Sequence, residues 1–262
     1  MCAQEQIMRG PVLRRVEHWV VMRAAWAAAR LRAPDAVLMV SRRGVRFFAT
    51  DSLAAPAWWL SVAVRDPAAA PGRAVMAPAA DFWGALRMTL WRGRGGNHIA
   101  VGPGAVHFDS PAAAVEVHGR AVDFGVGAGI PVGEGEELEV GDYYPVAVAD
   151  APSTISADAA AVAARSDAVE LRFTRDDRGW WLEVGGDGEV RRAPARMLLL
   201  PPNDGVIGRY PAAVVAELLS LLELAEPTVE LTEPPERPAL RAGWEHSATS
   251  RARVEFFVAP LA

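Results

Sequence analysis

The sequence AVLMVS at residues 36–41, an Arg43–Gly44 turn and the sequence VRFFAT at residues 45–50 predict a β-hairpin. Both runs are rich in β-branched and aromatic residues, and the glycine between them suits a tight turn. The same order returns in AVELRFT at residues 168–174, a turn at 176–179 and WWLEV at residues 180–184. The two hairpins begin about 130 residues apart, half the length of the 262-residue chain. This duplication predicts two copies of one domain.

Helices flank both hairpins in the same order, since a helix-like segment precedes each hairpin and a second one follows it. Pro211 suits the first turn of the last helix, and Pro227 prevents its continuation. The pattern predicts an α+β fold with a first domain at residues 1–125, a Gly- and Glu-rich connecting loop at 126–142 and a second domain at 143–262. The predicted elements besides the hairpins are helices at 17–32, 81–91, 156–166 and 211–225 and strands at 97–101, 228–231 and 254–258.

The composition is that of a folded protein, with 51% hydrophobic and 23% charged residues. The sequence has no uncharged apolar run of the roughly 18 residues that a membrane-spanning helix needs. Its single cysteine, Cys2, excludes an internal disulfide framework. We predict a protein that is neither secreted nor bound to a membrane and that resides in the cytoplasm and nucleoid, or in the nucleus of a eukaryotic cell.

The sequence lacks the motifs that catalysis would need. Its five histidines include no HxxxH or HExxH spacing, and no GxSxG nucleophile motif occurs. The glycine-rich run at residues 125–129 leads into Ile130 and Pro131 rather than into a helix that could receive a phosphate. We therefore predict that the protein is not an enzyme and has no catalytic residues, no metal site and no cofactor.

Charge is distributed unevenly along the chain. Residues 1–100 contain 14 arginines and six acidic residues, a balance of +8, so the total of −5 leaves −13 for residues 101–262. Arg23 and Arg30 are seven residues apart, as are Arg87 and Arg94, so each pair shares one helical stripe if its helix extends that far. Two interpretations remain open for these stripes, a solvated surface and a surface that binds an anionic partner.

Two tryptophan pairs, Trp58–Trp59 and Trp180–Trp181, fall on predicted strands. Because neighbouring side chains of a strand point to opposite faces, we expect one tryptophan of each pair to lie in the core. Stacking of the other tryptophan on a nucleic-acid base is the less favoured alternative.

The order of several short motifs resembles that of the sliding clamps of the proliferating cell nuclear antigen (PCNA) family, in a divergent form. The strongest is the ending Phe-Phe-Val-Ala-Pro at residues 256–260, which is similar to the aromatic-aromatic-Leu-Ala-Pro ending of that family. Nearly the whole chain is covered by the resemblance. The other motifs that carry it are Arg43-Gly44-Val45, Thr50-Asp51-Ser52, Gly129-Ile130-Pro131, Arg209-Tyr210-Pro211 and Pro238-Ala239-Leu240.

The resemblance implies two repeated clamp domains whose helices line a ring and whose antiparallel sheets lie outside. Such a ring, usually a trimer of one chain or of paralogues, encircles double-stranded DNA without sequence preference and acts as a processivity factor in replication and repair. A clamp loader, DNA polymerase and other clamp-binding proteins would be its partners. The implied DNA-binding residues are Arg23, Arg30, Arg87, Arg94 and Arg165. The implied partner-peptide pocket comprises Asp51, Ser52, Leu53, Ile130, Pro131, Pro238, Phe257, Ala259 and Pro260.

The second domain departs from this family pattern. Its helix at residues 211–225 has no basic residue and carries Glu217 and Glu223, and the helix at 156–166 offers only Arg165. An alternative function is therefore a degenerate clamp-like scaffold, or one subunit of a hetero-ring, that binds proteins and holds DNA weakly. In either case the resemblance implies subunit contacts through strands near residues 113–117 and 190–197.

Overall fold

The computed structural model describes most of the chain as two compact units. The first unit comprises Met1–Leu53, Ser61–Glu139 and Ala248–Arg253, and the second comprises Ala54–Leu60, Val140–Ser247 and Val254–Ala262. The loop predicted to connect two domains at 126–142 lies mostly outside the described residues, so the predicted domain boundaries stay predictions. The described residues are 11–41, 43–52, 56–66, 72–90, 96–122, 130–131, 137–138, 145–150, 161, 165–186, 189–197, 207–222, 228–232, 239–245 and 251–262.

The first unit combines antiparallel sheets with two helices. The elements are β1 (Val12–Leu13), α1 (Arg15–Arg30), β2 (Asp35–Ser41), β3 (Gly44–Thr50), β4 (Trp58–Arg65), β5 (Arg73–Ala77), α2 (Ala79–Met88), β6 (Asn97–Gly102), β7 (Ala105–Asp109), β8 (Ala114–His118), β9 (Arg120–Val122), β10 (Ile130–Pro131) and β11 (Glu137–Leu138). Residues 58–60 of β4 belong to the second unit. One sheet has the strand order β1-β6-β7-β8, and another series of strands runs β4-β3-β2-β5-β9. The predicted first hairpin is confirmed, since Asp35 pairs with Thr50 and Ser41 pairs with Gly44.

Helices α1 and α2 pack against each other and against the strands. The Glu17 carboxylate accepts a hydrogen bond of 2.9 Å from the Arg14 backbone N–H at the start of α1. Small buried residues of α1, such as Ala24 and Ala28, allow the close approach of neighbouring elements. The opposite, more exposed side of α1 is therefore left for solvent or a partner.

The elements of the second unit are β12 (Pro145–Asp150), β13 (Ala168–Asp176), β14 (Gly179–Gly186), β15 (Glu189–Met197), β16 (Ile207–Pro211), α3 (Ala212–Leu219), a 3₁₀ turn (Ser220–Leu222), β17 (Thr228–Thr232), β18 (Leu240–Glu245) and β19 (Ala252–Val258), of which residues 252–253 belong to the first unit. These strands form one long series in the order β16-β13-β14-β15-β12-β17-β18-β19. The second predicted hairpin is confirmed, since Glu170 pairs with Gly185 and Asp176 pairs with Gly179. Of the helix predicted at 156–166, only Ala161, Arg165 and Ser166 are described.

Both tryptophan pairs differ from the predicted alternation. Trp58 and Trp59 are 4% and 3% exposed, within a run of five consecutive buried residues, so both faces of β4 are covered at this point. Trp180 and Trp181 are both only half-buried. Trp181 Nε1 donates a 2.8 Å hydrogen bond to the Asp176 carboxylate, and Arg175 lies over the Trp180 ring. The prediction that one member of each pair lies in the core is therefore wrong for Trp180–Trp181, whereas for Trp58–Trp59 both members lie in the core.

No helix among the described residues is both long and apolar enough to cross a membrane.

Candidate functional site

The more exposed side of α1 carries basic and aromatic residues at intervals of three and four. Arg15 and Arg30 are exposed, and Trp19, Arg23 and Trp26 are partly exposed. Positions at this spacing lie on one face of a helix, so these side chains form a continuous stripe. The predicted pair Arg23 and Arg30 belongs to it.

Each arginine of this stripe that follows a tryptophan by four residues lies over that ring. The Arg23 guanidinium carbon is 5.6 Å from the centre of the Trp19 ring, and that of Arg30 is 5.8 Å from the centre of the Trp26 ring. Both distances fall within the range of a cation–π interaction. Two pairs, each made of one tryptophan and one arginine, therefore follow each other along α1.

Helix α2 repeats this arrangement. The Arg87 guanidinium carbon is 5.6 Å from the centre of the Trp83 ring, and Arg87 is exposed. The Trp83 and Trp26 ring centres are 4.5 Å apart, with a tilt of 42° between the planes. The tryptophan–arginine pairs of α1 and α2 are therefore in contact through these two rings. We name the resulting surface the tryptophan–arginine face, and it consists of Trp19, Arg23, Trp26, Arg30, Trp83 and Arg87.

The acidic residues of α1 and α2 are not part of the tryptophan–arginine face. These helices contain two acids, Glu17 and Asp81. Glu17 is fully buried. Asp81 is two residues before Trp83, which places it about 200° around the helix from that ring. Sequence reasoning found the arginines but missed the tryptophans, although the repeated four-residue spacing from Trp to Arg is visible in the sequence.

The other two predicted DNA-binding residues are Arg94 and Arg165. Arg94 lies outside the described residues. Arg165 is exposed at a turn before β13 in the second unit. The placement of Arg23, Arg30 and Arg87 on one face of two touching helices is thus the part of the predicted set that the structure brings together.

A buried histidine ties α1 to α2 beneath this face. His18 is fully buried, and its Nε2–H donates a 2.7 Å hydrogen bond to the Leu86 carbonyl oxygen. Its Nδ1 has no hydrogen-bond partner among the described residues. Burial lowers the pKa of the His18 imidazole, and the hydrogen bond to Leu86 only partly opposes this effect. The neutral imidazole is therefore the form that fits between the helices.

An arginine near the end of the chain holds the start of α1. Arg251 Nη1 is 3.5 Å from the buried Glu17 carboxylate, Arg251 Nη2 is 3.5 Å from Asp66, and Arg251 Nε donates a 2.8 Å hydrogen bond to the Arg65 carbonyl oxygen. A buried carboxylate needs such compensation, because desolvation of a lone charge is costly. Arg251 therefore links the first turn of α1 to Arg65 and Asp66.

Part of the predicted partner pocket lies at the end of β3 in the first unit. Asp51 and Ser52 are partly exposed. Thr50 Oγ1 donates a 3.0 Å hydrogen bond to the Ser52 carbonyl oxygen and accepts one of 3.3 Å from the Ser52 N–H. Ser52 and Thr50 border a small cavity of about 30 Å³. Its other lining residues are Pro34, Asp35, Val37, Phe48 and Met76.

A second part of the predicted pocket lies in the second unit. Phe257 is 7% exposed and stacks on Trp59, with 6.0 Å between ring centres and 6° between planes. Ala259 and Pro260 are partly exposed, and the Ala259 N–H donates a 2.7 Å hydrogen bond to the Ala57 carbonyl oxygen. Phe257 thus has a packing role that its sequence motif does not reveal.

For the other predicted pocket residues, the structure describes the backbone at most. Ile130 and Pro131 form β10, paired with Leu138 and Glu137 of β11. Leu53 and Pro238 lie outside the described residues. The combination of all nine residues into one peptide pocket stays a prediction.

The two strands predicted to join subunits differ in their surroundings. Strand β8 is the terminal strand of its four-stranded sheet, as a contact strand requires. Strand β15 lies between β14 and β12, and its residues 195–197 pair with β12. Its residues 189–194 have β14 as their neighbour among the described strands, and Val190 is 54% exposed. The part of β15 that fits a subunit contact is therefore shorter than predicted.

Comparison with known proteins identifies the fold. No protein-family model matches the chain, and no curated protein matches its sequence. The solved structure of A. fulgidus PCNA with the bound C-terminal region of FEN-1 is similar, with a TM-score of 0.65 and 13% identity over 97% of this chain and 99% of that one. PCNA from Entamoeba histolytica gives a TM-score of 0.61 and 14% identity, over 94% and 96% of the two chains. The chain therefore has the α+β fold of the PCNA-like sliding clamps, as its sequence motifs predict.

Proposed function

We propose that this protein is a sliding clamp, a non-enzymatic processivity factor that encircles duplex DNA. The tryptophan–arginine face carries the proposal, because a sliding clamp needs a positively charged helical surface that attracts phosphates. Arg23, Arg30 and Arg87 supply three such charges on two adjoining helices. Contacts to phosphates alone carry no sequence information, so the ring would be free to slide.

Assembly into a ring is part of the proposal. Three copies of a chain with two clamp domains would close a ring through strand pairing, with β8 as one contact strand. Such head-to-tail contacts generate closed rings when the rotation between subunits allows it. A hetero-ring with paralogues remains an alternative composition for the same architecture.

Docking of replication and repair proteins is the second part of the proposal. The similar A. fulgidus structure contains a bound C-terminal region of FEN-1. In the present chain, Ala259 and Pro260 offer partly exposed positions beside the buried Phe257–Trp59 stack. A short peptide with an apolar anchor suits such a surface. DNA polymerase and a clamp loader are further proposed partners.

A specific observation favours the alternative function of a protein-binding scaffold with weak DNA holding. Helix α3 has no basic residue, and Glu217 is partly exposed on it. If α3 lines a ring, it contributes negative charge where DNA would pass. The scaffold then differs from the clamp in its affinity for DNA, not in its fold.

The test is the salt dependence of DNA binding by a variant with Arg23, Arg30, Arg87 and Arg94 all changed to Ala. The slope of log affinity against log salt is negative, and each lost phosphate contact reduces its magnitude by about 0.9. Fluorescence anisotropy with a labelled duplex, measured over a series of salt concentrations, should therefore show a flatter slope and weaker binding for the variant.

A matched control removes the same charge from strands and turns, by changing the exposed Arg43, Arg73, Arg178 and Arg209 to Ala. This variant should keep most of the wild-type slope. Equal slopes for both variants would contradict the assignment of the helical face, and the absence of salt-dependent binding by the wild type would favour the scaffold.

A further inference from the structure

We propose that Trp19, Trp26 and Trp83 are positioning residues that hold Arg23, Arg30 and Arg87 ready for phosphate contacts. The inference rests on the proposed function. Its chemistry is the attraction between a guanidinium group and the electron-rich face of an indole. The partner at this surface is the phosphate backbone of duplex DNA.

The geometry repeats three times. In each pair the tryptophan precedes its arginine by four residues, and the distance from guanidinium carbon to ring centre lies between 5.6 and 5.8 Å. In a helix the longer side chains point back toward the N-terminus, so an arginine reaches naturally over a ring one turn earlier. In all three pairs, on two helices, the arginine lies C-terminal to its tryptophan. The three arginines are therefore arranged in the same way.

The partial exposure of the rings distinguishes this role from core packing. Trp19, Trp26 and Trp83 each retain solvent contact, whereas the apolar side of the helices already buries Val21, Phe82 and other residues. Each of these tryptophans therefore keeps part of its ring on the solvent-exposed side of its helix. On this side, its indole face provides a platform on which the neighbouring guanidinium can lie.

Ordering an arginine before it meets DNA strengthens its contact. A free arginine side chain has many rotamers, and binding a phosphate restricts them at a cost in entropy. A guanidinium that already rests on an indole has lost part of this freedom, so it loses less on binding. The contact between Trp26 and Trp83 further joins the pairs of α1 and α2 into one surface.

The test is a double-mutant cycle on duplex DNA affinity with the full-length protein, using Trp19→Leu and Arg23→Ala. Leucine keeps an apolar side chain but removes the indole face. If Trp19 acts through Arg23, W19L alone should weaken binding and flatten its salt slope, and it should add little when Arg23 is already absent. Loss of one phosphate contact makes the decrease in affinity between about 50 and 200 mM salt about threefold smaller, which is the largest change in the salt response that W19L alone should cause.

The control cycle combines W19L with Arg87→Ala, whose partner is Trp83. These two effects should add, because the residues belong to different pairs. Trp19→Phe retains an aromatic face and should recover most of the affinity and slope, and the melting temperature and circular dichroism of each variant show whether it folds.

Two results would overturn the inference while leaving the clamp in place: wild-type affinity in W19L, or full additivity of W19L and R23A. Full additivity would mean that the indole contacts DNA or the fold independently of Arg23. Failure of the wild type to bind DNA would instead overturn the proposed function and the inference together.

Discussion

At the scale of single residues, His18 determines how the two helices of the first unit fit together. Its imidazole is buried, donates to the Leu86 carbonyl oxygen and leaves Nδ1 without a hydrogen-bond partner among the described residues. Protonation would place a charge and an unsatisfied donor between α1 and α2. The sequence shows a histidine on a helix, but burial and the contact to a residue 68 positions away appear only in the structure.

We predict that His18 makes stability depend on pH. Because burial lowers the pKa of His18 in the folded state below the ordinary value of 6.5, the unfolded chain takes up this proton first as the pH falls. Stability is then complete above about pH 6.5 and decreases toward the folded-state pKa, by at most about 1.4 kcal/mol per pH unit.

The comparison is made with His18→Gln, since a glutamine amide can still donate to Leu86 but does not titrate. Urea unfolding at several pH values between about 7.5 and 5 should show a smaller decline for H18Q than for the wild type. His118→Gln is the control, because the His118 side chain is 79% exposed. A decline that is equal in wild type and H18Q would show that His18 does not titrate with folding.

At the scale of elements, the two hairpins are the part of the fold that the sequence predicts best. Each has a glycine at the start of its second strand, Gly44 with φ of +128° and Gly179 with φ of +132°. Local chemistry determines these turns, since only glycine adopts such a φ without strain. The Trp58–Trp59 pair could not be predicted in the same way, because its burial on both sides depends on distant elements of the chain.

The candidate site likewise has one part that the sequence predicts and one part that it does not. Helical spacing alone identifies the stripe of Arg23 and Arg30, because it is a property of one element. The contact between Trp26 and Trp83 joins residues 57 positions apart and follows from the packing of α1 on α2. Likewise, the sequence motif that includes Phe257 does not reveal its stacking on Trp59. Contacts between residues far apart in the sequence are therefore the part of the site that the sequence does not predict.

We predict different costs for replacing these two turn glycines by alanine. A positive φ costs an L-residue about 1–3 kcal/mol at either position. In addition, an alanine Cβ at Gly44 would overlap the Val64 carbonyl oxygen, whereas a Cβ at Gly179 meets no atom of the described residues within 4 Å. The free energy of unfolding, measured in urea, should therefore fall more for G44A than for G179A.

Gly84→Ala provides the opposite control. Gly84 lies within α2, and a Cβ there has open space. Alanine should stabilise the protein by about 0.5–1 kcal/mol because it lowers the entropy of the unfolded chain and favours the helix. Equal losses for G44A and G179A would contradict the close approach of β3 to β4 at Gly44.

At the scale of the whole molecule, the proposed clamp combines a basic first part with an acidic second part. The balance is +8 for residues 1–100 and −13 for the rest. The tryptophan–arginine face places part of the positive charge on helices, whereas α3 carries Glu217 without a basic residue. DNA would then be attracted mainly by the first unit of each chain, and a closed ring would retain it by topology.

Retention on DNA with blocked ends is the most direct test of whether the protein encircles the duplex. The protein is incubated with a linear duplex so that rings can thread over the ends, both ends are then closed with bulky protein blocks, and high salt is applied to remove direct electrostatic binding. We predict that the protein stays on the blocked duplex and leaves when a restriction enzyme cuts it. Equal and immediate loss from blocked and open duplexes would contradict encirclement.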